Sequence, residues 1–140
     1  MCGRARDWAV RMESEKAPDV QERIAKILAS GEFPHVNAYR LICMRSRGAG
    51  ARAYARIWSL PSIWQNALGI DPFYVIEVLS QHFDRLDRER QDKVLIHELL
   101  HIPKKFSGGL VPHTCFGKKI DERKVREIYD KMKTTGWGTG

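Results

Sequence analysis

The sequence predicts a small α+β domain, and three observations lead to that prediction. Apolar residues recur at helical spacing towards both ends of the chain, and three stretches rich in β-branched and aromatic residues lie between them. The length of 140 residues corresponds to one domain. We therefore predict the order α, β, β, β, α, α. The domain is expected at residues 17–133, with a flexible extension at 1–16 and a flexible tail at 134–140.

The first helix is expected to begin just after Ala17. Pro18 suits the first turn of a helix, and the carboxylate of Asp19 complements its positive end. The apolar residues that follow have helical spacing: Val20, Ile24, Ile27 and Leu28. The residues before this helix mix charges without any apolar periodicity, so they are predicted to form a loose extension.

The three predicted strands cover residues 36–44, 54–60 and 73–79. Two glycines among several arginines lie between the first two strands, which favours a β-hairpin with a solvated tip. Residues 61–68 are expected to form a short helix or a turn. We expect Trp58 to lie in the core, and Glu77, in an otherwise apolar strand, to face solvent.

A long helix is predicted at residues 87–102, with a charged first half and an apolar second half. Such a helix begins in solvent and enters the core, and Pro103 ends it. Residues 104–119 are expected to form a loop that contains Gly108-Gly109. An amphipathic helix follows at 121–133.

The second half of the long helix contains His97-Glu98-Leu99-Leu100-His101. Residues four apart lie on one face of a helix, so both imidazoles can bind one metal ion, at about 2.0–2.1 Å for zinc. Glu98 cannot easily reach the same ion, but it can accept a proton from a water bound there. This is the HExxH arrangement of zinc-dependent peptidases.

A catalytic zinc ion needs a third protein ligand and an open fourth position. His113 is the preferred candidate, because Gly108-Gly109 allows the loop to return towards the helix. Two alternatives remain open. Glu122 lies 21 residues after His101, near the distance at which a second helix supplies a glutamate in thermolysin-like enzymes, and Cys115 offers a soft thiolate ligand.

The runs VLIHELLHIP at 94–103 and FSGGLVPH at 106–113 resemble the small zinc metallopeptidases of archaea and phages. These are minimal zincins related to the SprT-like group, and the resemblance covers about residues 18–130. It implies Zn²⁺ bound by His97, His101 and His113, with Glu98 as the catalytic base and a protein or peptide as substrate. It also implies that an extended substrate lies near the strand at 73–79, unless the sheet topology assigns another strand to that role.

The formal net charge of +7 leaves a second function open. Basic segments at both ends of the chain suggest contact with DNA or RNA. The alternative is therefore a basic nucleic-acid-binding or RNA-processing metalloprotein with zinc on the same scaffold. Glu98, at the position of a general base, favours the peptidase.

Composition also bears on the cellular compartment. No apolar run approaches the ~18 residues that span a bilayer, and the N-terminal residues lack the apolar segment of a secretory signal. Three widely spaced cysteines form neither a disulfide framework nor a paired metal motif. We therefore expect a cytoplasmic protein with reduced thiols and no membrane contact.

Overall fold

A computed structural model describes residues 13–48, 50–115 and 118–135, and for 114, 115, 118 and 119 it describes the backbone alone. These residues form an α+β domain with one four-stranded sheet and one two-stranded ribbon. The strands are β1 (Glu13–Lys16), β2 (Leu41–Arg47), β3 (Ala55–Ser59), β4 (Tyr74–Leu79), β5 (Thr114–Cys115) and β6 (Lys118–Lys119). The helices are α1 (Pro18–Ala29), α2 (Ser62–Leu68), α3 (Ser80–Phe83), α4 (Arg88–Leu99) and α5 (Glu122–Thr134). In this part of the chain no helix is long and apolar enough to cross a membrane.

The main sheet has the order β1-β2-β4-β3, so the predicted hairpin between β2 and β3 is wrong. Strand β4 lies between them, parallel to β2 and antiparallel to β3, and Ile76 is paired with both Cys43 and Ile57. The physical reason is burial. Five of the six residues of β4 are buried, whereas β3 has one buried residue in five. The more apolar strand therefore takes the interior position.

The sheet has four strands rather than the three predicted, because residues 13–16 pair with β2. Glu13 is opposite Arg47 and Lys16 is opposite Met44 in an antiparallel register. All four residues of β1 are exposed. An edge strand held by backbone hydrogen bonds needs no apolar face, so the polar sequence did not reveal it. The remainder of the predicted extension, 1–12, and most of the predicted tail, 136–140, lie outside the described residues.

The core lies on one face of the sheet, where α1, α4 and α5 contribute their apolar sides. Helix α1 ends at Ala29 and buries one side, as its spacing predicted. The buried helix residues are Val20, Ile24 and Ile27 of α1, Leu95, Ile96 and Leu99 of α4, and Val125, Ile128, Tyr129 and Met132 of α5. They pack with Leu41 and Cys43 of β2, Ala55 of β3, and Tyr74, Ile76 and Val78 of β4.

Polar contacts fix where α4 begins and how it is held. The Asp87 side chain accepts a hydrogen bond from the Arg90 backbone N–H at 2.9 Å and caps the helix. Arg23 of α1 donates to the buried Asp92 carboxylate and, at 3.0 Å, to the Arg88 carbonyl. Burial raises the pKa of Asp92, and the bond and charge of Arg23 oppose that rise. The two helices are thereby joined by a buried ion pair.

Helix α4 ends at Leu99, three residues before the predicted end. His101 and Ile102 donate to the carbonyls of Glu98 and Leu99 at 3.1 Å, which tightens the chain into a narrower turn. Pro103 has no N–H to continue the helix, and it disfavours helical geometry at Ile102. His101 therefore lies in the turn just beyond the helix.

Glu77 is buried at 5% exposure, so the expectation that it faces solvent is wrong. Its carboxylate accepts hydrogen bonds from Ser46 Oγ at 2.5 Å, Arg56 Nε at 2.9 Å and Trp58 Nε1 at 2.9 Å. Trp58 itself is 53% exposed rather than in the core. Burial raises the pKa of Glu77, but these three hydrogen bonds more than offset it, and the net pKa is lowered.

We predict that Glu77→Gln lowers the free energy of unfolding at pH 7 by about 2 kcal/mol, because charge-assisted hydrogen bonds are lost. The folded-state pKa of Glu77 lies below its ordinary value of 4.5. The difference between wild type and variant should therefore be complete above about pH 4.5 and shrink as the pH falls through the folded-state pKa. Denaturant unfolding at pH 7 and pH 3 measures it. The exposed Glu22→Gln control should change stability by less than about 0.5 kcal/mol.

Candidate metal centre

Three histidines meet at the C-terminal end of α4 and form the histidine cluster: His97, His101 and His113. His97 lies on the helix, His101 in the turn after it, and His113 at the end of the loop that follows. Their ring centroids are 5.2 Å (His97–His101), 5.2 Å (His97–His113) and 4.6 Å (His101–His113) apart. One nitrogen from each ring lies within 4.8 Å of the other two, so the cluster could hold a metal ion.

Hydrogen bonding leaves one nitrogen of His101 available for a metal. Nδ1 of His101 contacts the Val111 carbonyl at 2.5 Å, which requires the proton to be on Nδ1. The lone pair is then on Nε2. Nε2 of His97 and Nε2 of His113 are 3.2 Å apart. Two nitrogens bound to one tetrahedral zinc ion are about 3.3 Å apart, so this donor set fits zinc.

The electrostatics of the site favour neutral imidazoles at His97 and His101. Burial, followed by the nearby His101 and His113, lowers the pKa of His97 to about 4. Burial also lowers the pKa of His101, and His113 adds to this effect, while the bond to Val111 opposes it. A metal ligand must be unprotonated. The environment therefore holds His97 and His101 in the form that binds metal at neutral pH.

Glu98 is adjacent to His97 in the sequence, but its side chain is more deeply buried than that of His97. It is buried at 8% exposure, and burial raises its pKa to about 7. Among the described residues its carboxylate has no hydrogen-bond or ion-pair partner, yet it lines the cleft next to the histidines. It is outside the group whose nitrogens converge. A carboxyl in this position is available for proton transfer.

The loop that delivers His113 is anchored to the sheet by Tyr74, a residue that the sequence analysis did not single out. The buried Tyr74 hydroxyl donates to the Gly109 carbonyl at 2.8 Å and accepts from the Gly108 N–H at 2.9 Å. Phe106 packs on the Tyr74 ring at 4.9 Å and has a positive φ of 47°. A tyrosine in an apolar strand carries no sequence signal of such a role.

The structure also places the two alternative third ligands. Glu122, in the first turn of α5, lines the same cleft but is outside the histidine cluster. The side chain of Cys115 lies outside the described part. Of the three candidates, His113 is the one that the described structure brings to His97 and His101.

The histidine cluster opens into a cleft of about 1290 Å³ between β3 and α4. Residues 110–113 and the start of α5 complete its walls. Strand β3 is at the edge of the sheet, whereas β4 is paired on both sides. Strand β4 therefore offers no free edge to an extended substrate, and the topology favours another strand for that role. Within the described residues, the strand with a free edge at this cleft is β3.

These features define an α+β domain with a histidine-rich site in an open cleft. A family model described as "Putative phage metallopeptidase" matches residues 12–133, and the chain belongs to that family. The family implies a metal ion and a protein or peptide substrate. Neither a curated protein nor a solved structure matches the chain significantly.

We predict that Gly108→Ala destabilises the loop that carries His113. Gly108 has a φ of 100°, and an added Cβ would lie 2.3 Å from Gln65 Nε2 and 2.8 Å from the Leu60 carbonyl oxygen. Strain and overlap together should cost about 2 kcal/mol of unfolding free energy, measured by denaturant unfolding. Gly109→Ala is the matched control, because the nearest atom to its Cβ is 4.0 Å away. Equal effects of the two substitutions would contradict this account of the loop.

Proposed function

We propose that the chain is a zinc-dependent endopeptidase of the HExxH type, with a minimal zincin-like domain at residues 17–133. His97, His101 and His113 are the zinc ligands, and Glu98 is the catalytic base. The observation that carries the proposal is the meeting of three imidazoles beside a buried carboxylate, which has no partner among the described residues, in an open cleft. Family membership supports the peptidase class.

A zinc ion in this site supplies Lewis acidity, which polarises a peptide carbonyl and lowers the pKa of water towards ~7. The protein's part is to hold the ligands in place. Val111 contacts His101 twice, through its carbonyl at His101 Nδ1 and through its N–H, which donates to the His101 carbonyl at 2.7 Å. These two bonds orient the ring and attach the returning loop to the end of α4.

In the proposed mechanism Glu98 transfers a proton from the water to the leaving amine. Its carboxylate accepts a proton from the attacking water and returns it to the leaving amine nitrogen, so that the peptide bond breaks without a charged amide leaving group. Its place supports this role, since it lines the cleft and has no competing partner in the described residues. Burial also strengthens its interactions with any charge that develops next to it.

Strand β3 is the proposed docking edge for an extended substrate. Residues 53–57 line the cleft opposite α4, and the outer edge of β3 has no strand paired to it in the described structure. A peptide can add to such an edge through backbone hydrogen bonds, which do not depend on its sequence. In this proposal the peptide backbone lies between β3 and the histidine cluster.

The nucleic-acid alternative receives less support from the arginines around the β2–β3 connection. Arg45 pairs with Asp19 at 2.9 Å and with Asp84 at 3.1 Å, and Arg47 pairs with Glu15 at 3.1 Å. Arg56 pairs with the buried Glu77. Since these guanidinium groups already have carboxylate partners, we expect them to bind phosphate groups less strongly than unpaired arginines would.

The ligand assignment predicts a clear order of zinc affinities. His97→Ala and His101→Ala should abolish binding of one zinc ion per chain. His113→Ala should weaken binding by at least about tenfold, because one first-sphere ligand is lost. Glu122→Ala is the control in the same cleft and should retain zinc. Competition with a chelating dye measures all four affinities. A larger loss in Glu122→Ala than in His113→Ala would assign the third ligand to Glu122.

Glu98→Gln separates metal binding from catalysis. The substitution keeps the volume of the side chain but removes its ability to accept a proton. We expect zinc content and thermal stability to be retained, while hydrolysis of an unfolded protein substrate falls by at least ~10²-fold. Loss of zinc in this variant would identify Glu98 as a ligand. Full activity with zinc retained would exclude it as the base.

A further inference from the structure

One end of the cleft is basic. Arg90 and Lys93 of α4 and Arg126 of α5 line it together with the histidine cluster. Lys93 is partly engaged, since its Nζ is 3.4 Å from Glu89 Oε2 and 5.2 Å from the centre of the Tyr129 ring. Arg90 and Arg126 differ from Lys93 in having no such contacts. Within the described residues their exposed guanidinium groups have no hydrogen-bond or ion-pair partner.

Several arginines of the domain pair with a carboxylate of the chain: Arg23, Arg40, Arg45, Arg47, Arg56 and Arg123. Among the arginines that line the cleft, Arg56 is paired, whereas Arg90 and Arg126 have no partner within the described residues. Glu122 lies four residues before Arg126 on α5 and lines the same cleft, but the two form no ion pair. Asp121, at the start of α5, is occupied as the helix cap and accepts from the Lys124 N–H at 3.0 Å. The two arginines are therefore free to bind a ligand anion.

The position of Arg90 along α4 gives a distance from the proposed reaction centre. Five residues of α4 line the cleft, and their spacing places them on one face of the helix: Arg90, Lys93, Val94, His97 and Glu98. Arg90 precedes His97 by seven residues, which corresponds to about 10 Å along the axis. A peptide that runs along α4 in an extended form advances about 3.3 Å per residue, so in that direction the distance corresponds to about three residues of substrate.

We propose that this site selects substrates with an acidic side chain about three residues from the scissile bond, bound by Arg90 and Arg126. The inference rests on the proposed peptidase function and names its substrate class. A guanidinium group pairs with a carboxylate through two parallel hydrogen bonds, which gives selectivity as well as attraction. Peptide is favoured over nucleic acid for two reasons. Asp121 and Glu122 line the same cleft and would repel a continuous phosphate backbone. Arg56, the remaining cation of the lining, is already paired with Glu77.

The test measures binding rather than turnover. Zinc-loaded Glu98→Gln protein is titrated into a labelled peptide with both ends blocked, so that only side chains carry charge. A single Glu, Gln or Lys is moved along a constant sequence, and fluorescence anisotropy gives each dissociation constant. We expect Glu to bind about fivefold more tightly than Gln at one or two neighbouring positions, with the preference weakening as salt is raised.

Charge-reversal variants assign the effect. In the same background, Arg90→Glu or Arg126→Glu should abolish the preference for Glu and favour Lys at that position. Arg123→Glu is the control, because Arg123 lies on the same helix, α5, is 88% exposed, pairs with Glu127 at 3.6 Å and does not line the cleft. It should leave the preference unchanged. A repeat of the peptide series with a free C-terminal carboxylate shows whether that group binds in place of the side chain.

The remaining outcomes overturn the inference. Equal affinities for Glu and Gln peptides at every position, or no peptide binding, would do so. A single-stranded oligonucleotide that binds through Arg90 and Arg126, without any Glu preference, would assign the basic end to nucleic acid. Hydrolysis by the protein with Glu98 intact is measured separately on the same peptides. If the Glu preference persists without hydrolysis, the proposed function fails while the binding site stands.

Discussion

The proposed site depends on one constraint: the chain that leaves α4 must return to the end of that helix. Two hydrogen bonds between Val111 and His101 attach the returning loop to the end of α4. The Tyr74 hydroxyl anchors the middle of this loop through hydrogen bonds to Gly108 and Gly109. Without this return His113 has no reason to be near α4. The third histidine is therefore placed by backbone contacts to the sheet and the helix end, not by its own side chain.

The other half of the site depends on how α4 is seated. The ion pair between Arg23 and Asp92 joins α4 to α1, while Leu95, Ile96 and Leu99 fix its apolar side against the sheet. Rotation of the helix would expose these residues, so the opposite side is held towards β3. That side carries the histidines and Glu98, and the cleft exists because α4 and the edge strand β3 stand on either side of it.

Much of this site could be predicted from spacing, because a helix dictates which residues share a face. That rule predicted that His97 and His101 would lie close together, although the helix ends at Leu99 and His101 lies in the tighter turn beyond it. Gly108-Gly109 indicated a loop able to fold back. The sheet was less predictable. The polar strand β1 carries no apolar signal, and the place of β4 between β2 and β3 depends on long-range burial. The partners of Glu77 come from two neighbouring strands, so its burial could not be predicted from local sequence.

The cleft brings together groups that need opposite environments, and their separation along α4 makes this possible. Glu98, His97 and His101 lie at the C-terminal end, where burial raises the pKa of Glu98 and lowers the pKa of these two imidazoles, so that both imidazoles are neutral at neutral pH. Arg90 lies two turns earlier, at the solvated end, where a guanidinium group stays hydrated until a ligand arrives. A cation beside the histidine cluster would compete with a bound metal ion by repulsion. Arg90 is exposed and lies about 10 Å along the helix from His97, so distance and solvent screening weaken that repulsion. In the proposed binding mode, one extended peptide can still contact both Arg90 and the histidine cluster.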